Sequence, residues 1–154
     1  MALEMLLERF PPNLAPVATL ILLALLVLAA GFDIAQRKVP NTLILVGITT
    51  ALSLSTLSGW PAISGAVIGS LAALVVLLPV YASGMMGAGD VKLISMVGGF
   101  LGPHHFLFAL LCIFVAGGAL SILYLWHQRF KASSSGMPYA VAVLGGVTAY
   151  LSAL

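Results

Sequence analysis

Charged side chains are scarce in this sequence: Asp, Glu, Lys and Arg make up 6% of its 154 residues, whereas 62% are hydrophobic. A soluble domain carries about 25% charged residues. The chain therefore cannot cover a water-facing surface on all sides, and its composition predicts an integral membrane protein. The net charge of +2 is too small to indicate a nucleic-acid partner.

Cysteine is the next shortage, because Cys112 is the only one in the sequence. A single cysteine excludes an internal disulfide and any zinc site built from several cysteines. The adjacent pair His104 and His105 has no acidic residue on its side, so we predict no metal there. The stretch from Gly84 to Gly89 lacks the Gly-Lys-Ser/Thr ending of a phosphate-binding loop. No cofactor is predicted.

Long apolar runs fill most of the chain, and they predict an all-α, polytopic membrane helix bundle with about six transmembrane helices in a single domain, 1–154. The predicted spans are 14–32, 42–57, 62–81, 90–101, 106–126 and 138–154. Residues 1–13 are amphipathic and are predicted to lie on the lipid surface. The fourth span would rise only about 18 Å as a helix, so it either tilts or starts below the membrane surface.

The connections between the predicted spans differ in charge. With six spans, all connections that carry basic residues fall on one side, and the connections at 58–61 and 102–105 on the other side carry none. The basic residues are Arg37, Lys38, Lys92, Arg129 and Lys131. The positive-inside rule makes their side cytoplasmic, with both termini outside a bacterial inner membrane.

Acidic residues number only four, and Asp33 and Asp90 are the two at the edges of apolar segments, on the predicted cytoplasmic side. Two carboxylates held together cannot both ionise comfortably, so the pair keeps one proton near neutral pH. Such a pair can activate water and protonate a leaving amine. An aspartic protease dyad is one interpretation of these residues.

Other interpretations remain open from the residues alone. Asp33 could be a solvated loop residue, and Asp90 could cap a helix N-terminus. The chain could instead be a small proton- or ion-coupled carrier that uses both aspartates, or a non-catalytic subunit of a secretion apparatus.

Three motifs resemble the prepilin peptidases, which are GxGD aspartic proteases. Gly87-Ala88-Gly89-Asp90 matches the GxGD signature, and its extension through Val91-Lys92-Leu93 is similar to the prepilin peptidase form. The segment from Asp33 to Asn41, with basic residues and a Pro-Asn pair, resembles the first acidic segment of that family. Met137-Pro138-Tyr139 resembles the Pro-Tyr motif that opens the last helix.

The resemblance is closest to the short prepilin peptidases of tight-adherence (Flp) pilus systems, which lack the methyltransferase region of longer members. It implies a membrane-embedded endopeptidase that cleaves the leader of Flp-type prepilins after a glycine, at the cytoplasmic face. It implies catalytic roles for Asp33 and Asp90. It also implies an active-site loop containing Gly87, Gly89 and Lys92, with substrate-site support from Pro138 and Tyr139.

Local patterns give further expectations. Lys92 lies two positions after Asp90, which predicts a different helix face and a role as a headgroup anchor. Asn41 is predicted to cap the second helix. Backbone crowding at Gly87 and Gly89 predicts that Gly89→Val is the most damaging substitution in the loop, followed by Gly87→Ala and then by Gly84→Val.

A Gly65/Gly69 pair predicts close helix packing in the third span.

Overall fold

The computed structural model describes residues 14–128 and 139–153, which are helical throughout apart from short connections. The helices are α1 (Ala15–Gln36), α2 (Asn41–Leu57), α3 (Trp60–Ala82), α4 (Ala88–Gln128) and α5 (Tyr139–Ala153). The predicted all-α membrane bundle is confirmed. The predicted surface segment 1–13 and the connection with Arg129, Lys131 and Pro138 lie outside the described residues.

Helix α4 is broken at Gly102, whose φ of 76° and ψ of 172° are not helical. The break divides it into α4a (88–101) and α4b (103–128). Pro103 suits the first position of α4b, where its missing N–H costs no hydrogen bond. The predicted connection 102–105 is therefore wrong in length, because one glycine is enough to interrupt the helix.

The chain reverses direction at this break. Gly117 of α4b packs beside Tyr139 at the start of α5, and His105 bonds to Tyr150 near its end. Tyr139 also shares a cavity with Asp90, at the start of α4a. Both halves of α4 thus reach back to the same end of the bundle, which gives six helical segments within the described residues.

Glycines allow the segments to pack closely. A Cβ on Gly69 of α3 would overlap the carbonyl oxygen of Gly98 in α4a, and a Cβ on Gly146 of α5 would overlap the backbone of Ile113. The close approach predicted at Gly69 is confirmed. Gly65 instead lines a cavity at the end of the bundle where α4 is broken.

The outside of the bundle is apolar. Three helices are long and apolar enough to cross a membrane, at Ala15–Gln36, Trp60–Ala82 and Ala88–Leu123, the last containing the Gly102 break; α2 and α5 are shorter apolar helices. Large hydrophobic side chains point outward, among them Leu20 and Val115. Such an apolar surface is unfavourable in water and favourable in contact with lipid. The chain is therefore a multi-pass membrane protein.

The C-terminal end of α1 and the N-terminal end of α4 differ from the predicted span boundaries, and these ends carry Asp33 and Asp90. Helix α1 continues past Phe32 to Gln36, and Asp33 lies in its last turn instead of in a polar connection. Arg37 ends the helix in the left-handed conformation (φ 54°), and its N–H donates to the Asp33 carbonyl at 2.9 Å. Helix α4 begins at Ala88, so Asp90 lies in its first turn.

Candidate active site

Asp33 is buried, with 8% of its surface exposed, and it contacts the far end of the chain. Its Oδ2 accepts a hydrogen bond of 2.8 Å from the backbone N–H of Ala140. Ala140 lies in the first turn of α5, where N–H groups have no partner within the helix and the helix dipole favours a negative charge. Asp33 therefore caps a helix that begins more than a hundred residues later.

Asp90 is half-buried, and a tight turn leads into it. The carbonyl of Gly87 accepts from the N–H groups of Asp90 at 3.1 Å and Val91 at 3.2 Å, which closes the first turn of α4a. A Cβ on Gly87 would lie 3.2 Å from Oδ2 of Asp90. Because Gly87 has no side chain, the Asp90 carboxylate can occupy this position without steric crowding.

A cavity of about 480 Å³ brings the predicted site residues together at this end of the bundle. Its lining residues are Asp33, Arg37, Lys38, Val39, Asn41, Gly87, Ala88, Gly89, Asp90, Lys92 and Tyr139. We call it the dyad cavity. The carboxylates of Asp33 and Asp90 are close enough to interact electrostatically. Pro138, the remaining predicted site residue, lies outside the described residues.

Lys92 also lines the dyad cavity, so the different helix face predicted for it does not keep it away from the surroundings of Asp90. Its Nζ donates to Oδ1 of Asn41, at the start of α2, over 3.3 Å. A lysine side chain has four methylene groups. Its ammonium group can therefore reach the cavity even when the Cα–Cβ bond does not point towards it. Asn41 does not cap α2 through its side chain, because Pro40 occupies the N-cap position.

Tyr139 lines the dyad cavity together with Asp90. Its ring lies against Gly117 of α4b, where a Cβ would come within 3.3 Å of Cε2 and 3.5 Å of the hydroxyl oxygen. The sequence pattern did not lead us to predict Gly117 as a site residue, although the Gly117-Gly118 pair inside an apolar run could have indicated it. The Ala140 N–H carried no sequence signal, since any residue supplies one.

The glycines of the loop do not behave as predicted. A Cβ on Gly89 would have no heavy atom within 4 Å, so the expected crowding there is wrong. Gly84 has a φ of 74°, which only glycine adopts without strain, so it is not an ordinary linker position. At Gly87 the predicted crowding is present, and the atom concerned belongs to Asp90 itself.

A second cavity lies at the other end of the bundle and also has a volume of about 480 Å³. We call it the histidine cavity, after His104 and His105, which line it with Ser58, Ser64 and other residues. His105 Nδ1 lies 2.7 Å from the hydroxyl of Tyr150. Within residues 14–128 and 139–153, no group of three or more His, Cys, Asp or Glu residues could hold a metal ion.

The described helices define a multi-pass membrane protein in which two aspartates line one cavity at one end of the bundle. The type IV leader peptidase family matches residues 20–122, well over half of the chain, and the matched region includes both Asp33 and Asp90. The chain belongs to this family and is therefore a protease of the prepilin leader peptidase kind. Comparison with curated proteins and with solved structures gives no significant match.

Proposed function

We propose that this protein is an aspartic endopeptidase that removes the leader from Flp-type prepilins at the cytoplasmic face of the bacterial inner membrane. The observation that carries the proposal is that Asp33 and Asp90, from two different helices, line one cavity. Membership of the leader peptidase family supplies the reaction, which is hydrolysis of a peptide bond. Paired carboxylates supply the means of performing it.

The two carboxyl groups hold one proton between them. The ionised member takes a proton from water as the water oxygen bonds to the scissile carbonyl carbon, and the protonated member donates its proton to the carbonyl oxygen. In the second step the carboxyl group that took the water proton donates it to the leaving nitrogen as the C–N bond breaks, and the other carboxylate takes a proton from a hydroxyl of the intermediate, which becomes the new carboxyl group. The dyad then again holds one proton in total.

Asp33 lies against the N-terminal end of α5. The Ala140 N–H and the N-terminal end of α5 both stabilise an anion. Gly87 and Gly89 also line the cavity and present backbone without side chains to it. An extended substrate backbone can therefore come close to Asp90, as a short distance to the scissile bond requires.

The charges around the cavity support a cytoplasmic orientation. Arg37, Lys38 and Lys92 all line the dyad cavity, whereas no lysine or arginine of residues 14–128 and 139–153 lines the histidine cavity. Basic residues are retained on the cytoplasmic side of bacterial membranes.

Cleavage of a defined substrate tests the proposal. The full-length protein in membranes would be incubated with a prepilin that has a basic leader, a glycine and then an apolar helix, and the products analysed by mass spectrometry. We expect one cut, directly after the glycine. A matched prepilin with valine in place of that glycine should remain intact, and cleavage of both at the same rate, or of neither, would contradict the proposal.

A further inference from the structure

A second opening adjoins the dyad cavity on the side of the bundle that faces lipid. It is a groove of about 410 Å³ between α2, α3 and α4a. Leu45, Ile48 and Leu74 line it, with Leu45 63% and Leu74 38% exposed. We call it the lateral groove.

The lateral groove is adjacent to the dyad cavity, because Asn41 and Lys92 line both. Their side chains meet across the junction in the hydrogen bond of 3.3 Å. A charge-assisted hydrogen bond is usually about 2.7–2.9 Å long. The Lys92–Asn41 contact is long and exposed, so a chain passing from the groove to the cavity can displace it at little cost.

The polarity of the groove changes along its length. Asn41 and Lys92 are at the end next to the dyad, and leucine and isoleucine side chains follow along α2. Ser95 also lines the groove, but its hydroxyl already donates to the carbonyl of Ser70 at 3.0 Å. The groove is thus polar only where it meets the cavity and apolar beyond.

We infer that the lateral groove binds the first turns of the substrate's hydrophobic helix, while the segment before that helix passes Lys92 and Asn41 to reach the dyad. This inference rests on the proposed function, in which the cut lies directly before an apolar helix. From Asn41 to Ile48 a helix rises about 10 Å, which matches about two turns of a bound helix. The remainder of the substrate helix stays in lipid.

A peptide chain fits these features better than a lipid. An acyl chain would fill the apolar part equally well, but it has no segment to extend into a cavity lined by two carboxylates and three cations. A prepilin has a polar segment and an apolar helix joined in the order that the cavity and groove present. The geometry therefore assigns the groove to the substrate.

Photocrosslinking in membranes tests this assignment. A photoreactive amino acid would replace Leu45 in the groove or, as the matched control, Leu111 of α4b, which is exposed to nearly the same extent, 62% against 63%, but lies outside the groove. Both changes would be made in an Asp90→Asn background, so that bound prepilin is not consumed. The probe is the prepilin described above.

We expect several-fold more crosslinked prepilin from position 45 than from position 111, and we expect a soluble leader peptide without the apolar helix not to compete. Equal crosslinking, or competition by the soluble peptide, would overturn the inference and would leave the groove to lipid. Cleavage of the same prepilin by the unmodified protein separates the two proposals: if it is cleaved while crosslinking is equal, only the groove assignment fails.

A kinetic measurement gives a second test. In the active protein, Leu45→Ala should raise KM several-fold and leave kcat unchanged, because it removes binding that substrate and transition state share. Leu111→Ala should change neither. A fall in kcat at constant KM for Leu45→Ala would contradict a docking role.

Discussion

The two ends of the bundle carry cavities of the same volume, about 480 Å³, with different chemistry. The dyad cavity is lined by two aspartates, three basic residues and a tyrosine. Among the described residues, the histidine cavity is lined by serines, histidines, glycines, prolines and apolar residues, with no aspartate, glutamate, lysine or arginine. Volume therefore does not distinguish a reaction site from a gap between helix ends.

Charge density distinguishes them. The whole chain has four acidic residues, and two of them line one cavity. Placing charged groups in a membrane bundle is costly, so their concentration at one end needs a functional reason. In the histidine cavity, the contact between His105 and Tyr150 joins α4b to α5, as expected for a contact that holds helices together.

The largest expected difference between the two ends concerns catalysis. Asp33→Asn and Asp90→Asn should each lower prepilin cleavage by about 10²- to 10⁴-fold, because each removes one half of the acid–base pair. His104→Gln, at the other cavity, should stay within about twofold, as exposed substitutions usually do. Processing would be measured by immunoblot at matched membrane levels. Normal processing by either asparagine variant would contradict the dyad.

The side of the membrane that each end faces can be tested directly. In a Cys112→Ala background, a membrane-impermeant maleimide added outside intact cells should label Ser58→Cys, at the histidine cavity, and should not label Ser83→Cys, which precedes the loop to Asp90. Labelling after lysis controls for reactivity. The reverse pattern would invert the topology and contradict cleavage at the cytoplasmic face.

The geometry of the loop predicts a smaller effect. Gly87→Ala should lower cleavage about tenfold, because its Cβ would lie 3.2 Å from the Asp90 carboxylate and displace it by a few tenths of an ångström. Gly89→Ala should lower it less, since no heavy atom lies within 4 Å of the Cβ that it adds. Both rates would be measured on the same prepilin. A larger loss of cleavage for Gly89→Ala than for Gly87→Ala would contradict this prediction and would support the order predicted from the sequence, in which Gly89 is the more sensitive position.

The smallest effect is expected at the histidine cavity. Tyr150→Phe removes the hydroxyl that bonds to His105 and should lower the free energy of unfolding by about 1 kcal/mol. Cleavage at a temperature where the protein is folded should not change. Thermal unfolding in detergent and a cleavage assay would give the two values. Loss of cleavage without loss of stability would show that the two ends are not independent.

The bundle could be predicted from the sequence because apolar runs and their breaks are local signals. The Gly102-Pro103 pair marked the reversal between α4a and α4b, and the parity of the spans placed Asp33 and Asp90 on one side. Their shared cavity follows from these features only when the helices pack, which no local pattern specifies. The family resemblance supplied that step.

The errors have physical causes of the same kind. Asp33 was placed beyond the first helix because a carboxylate is costly in lipid, but the Ala140 N–H and the adjacent cavity stabilise it within the last turn. The helical position of Lys92 does not by itself specify how far its side chain reaches, and that side chain bonds to Asn41 of α2. Among the loop glycines, the positive φ is at Gly84, which the GxGD motif does not mark.

The hydrogen bond between Asp33 and Ala140 also has a consequence for synthesis in the cell. The partners are 107 positions apart, so Asp33 enters the membrane early and gains its backbone donor only when the start of α5 has emerged. Until then the first acid lacks its anion-stabilising partner, and the cavity lacks Tyr139 as a wall. The dyad cavity is therefore complete only after α5 has been synthesised and has packed against α1.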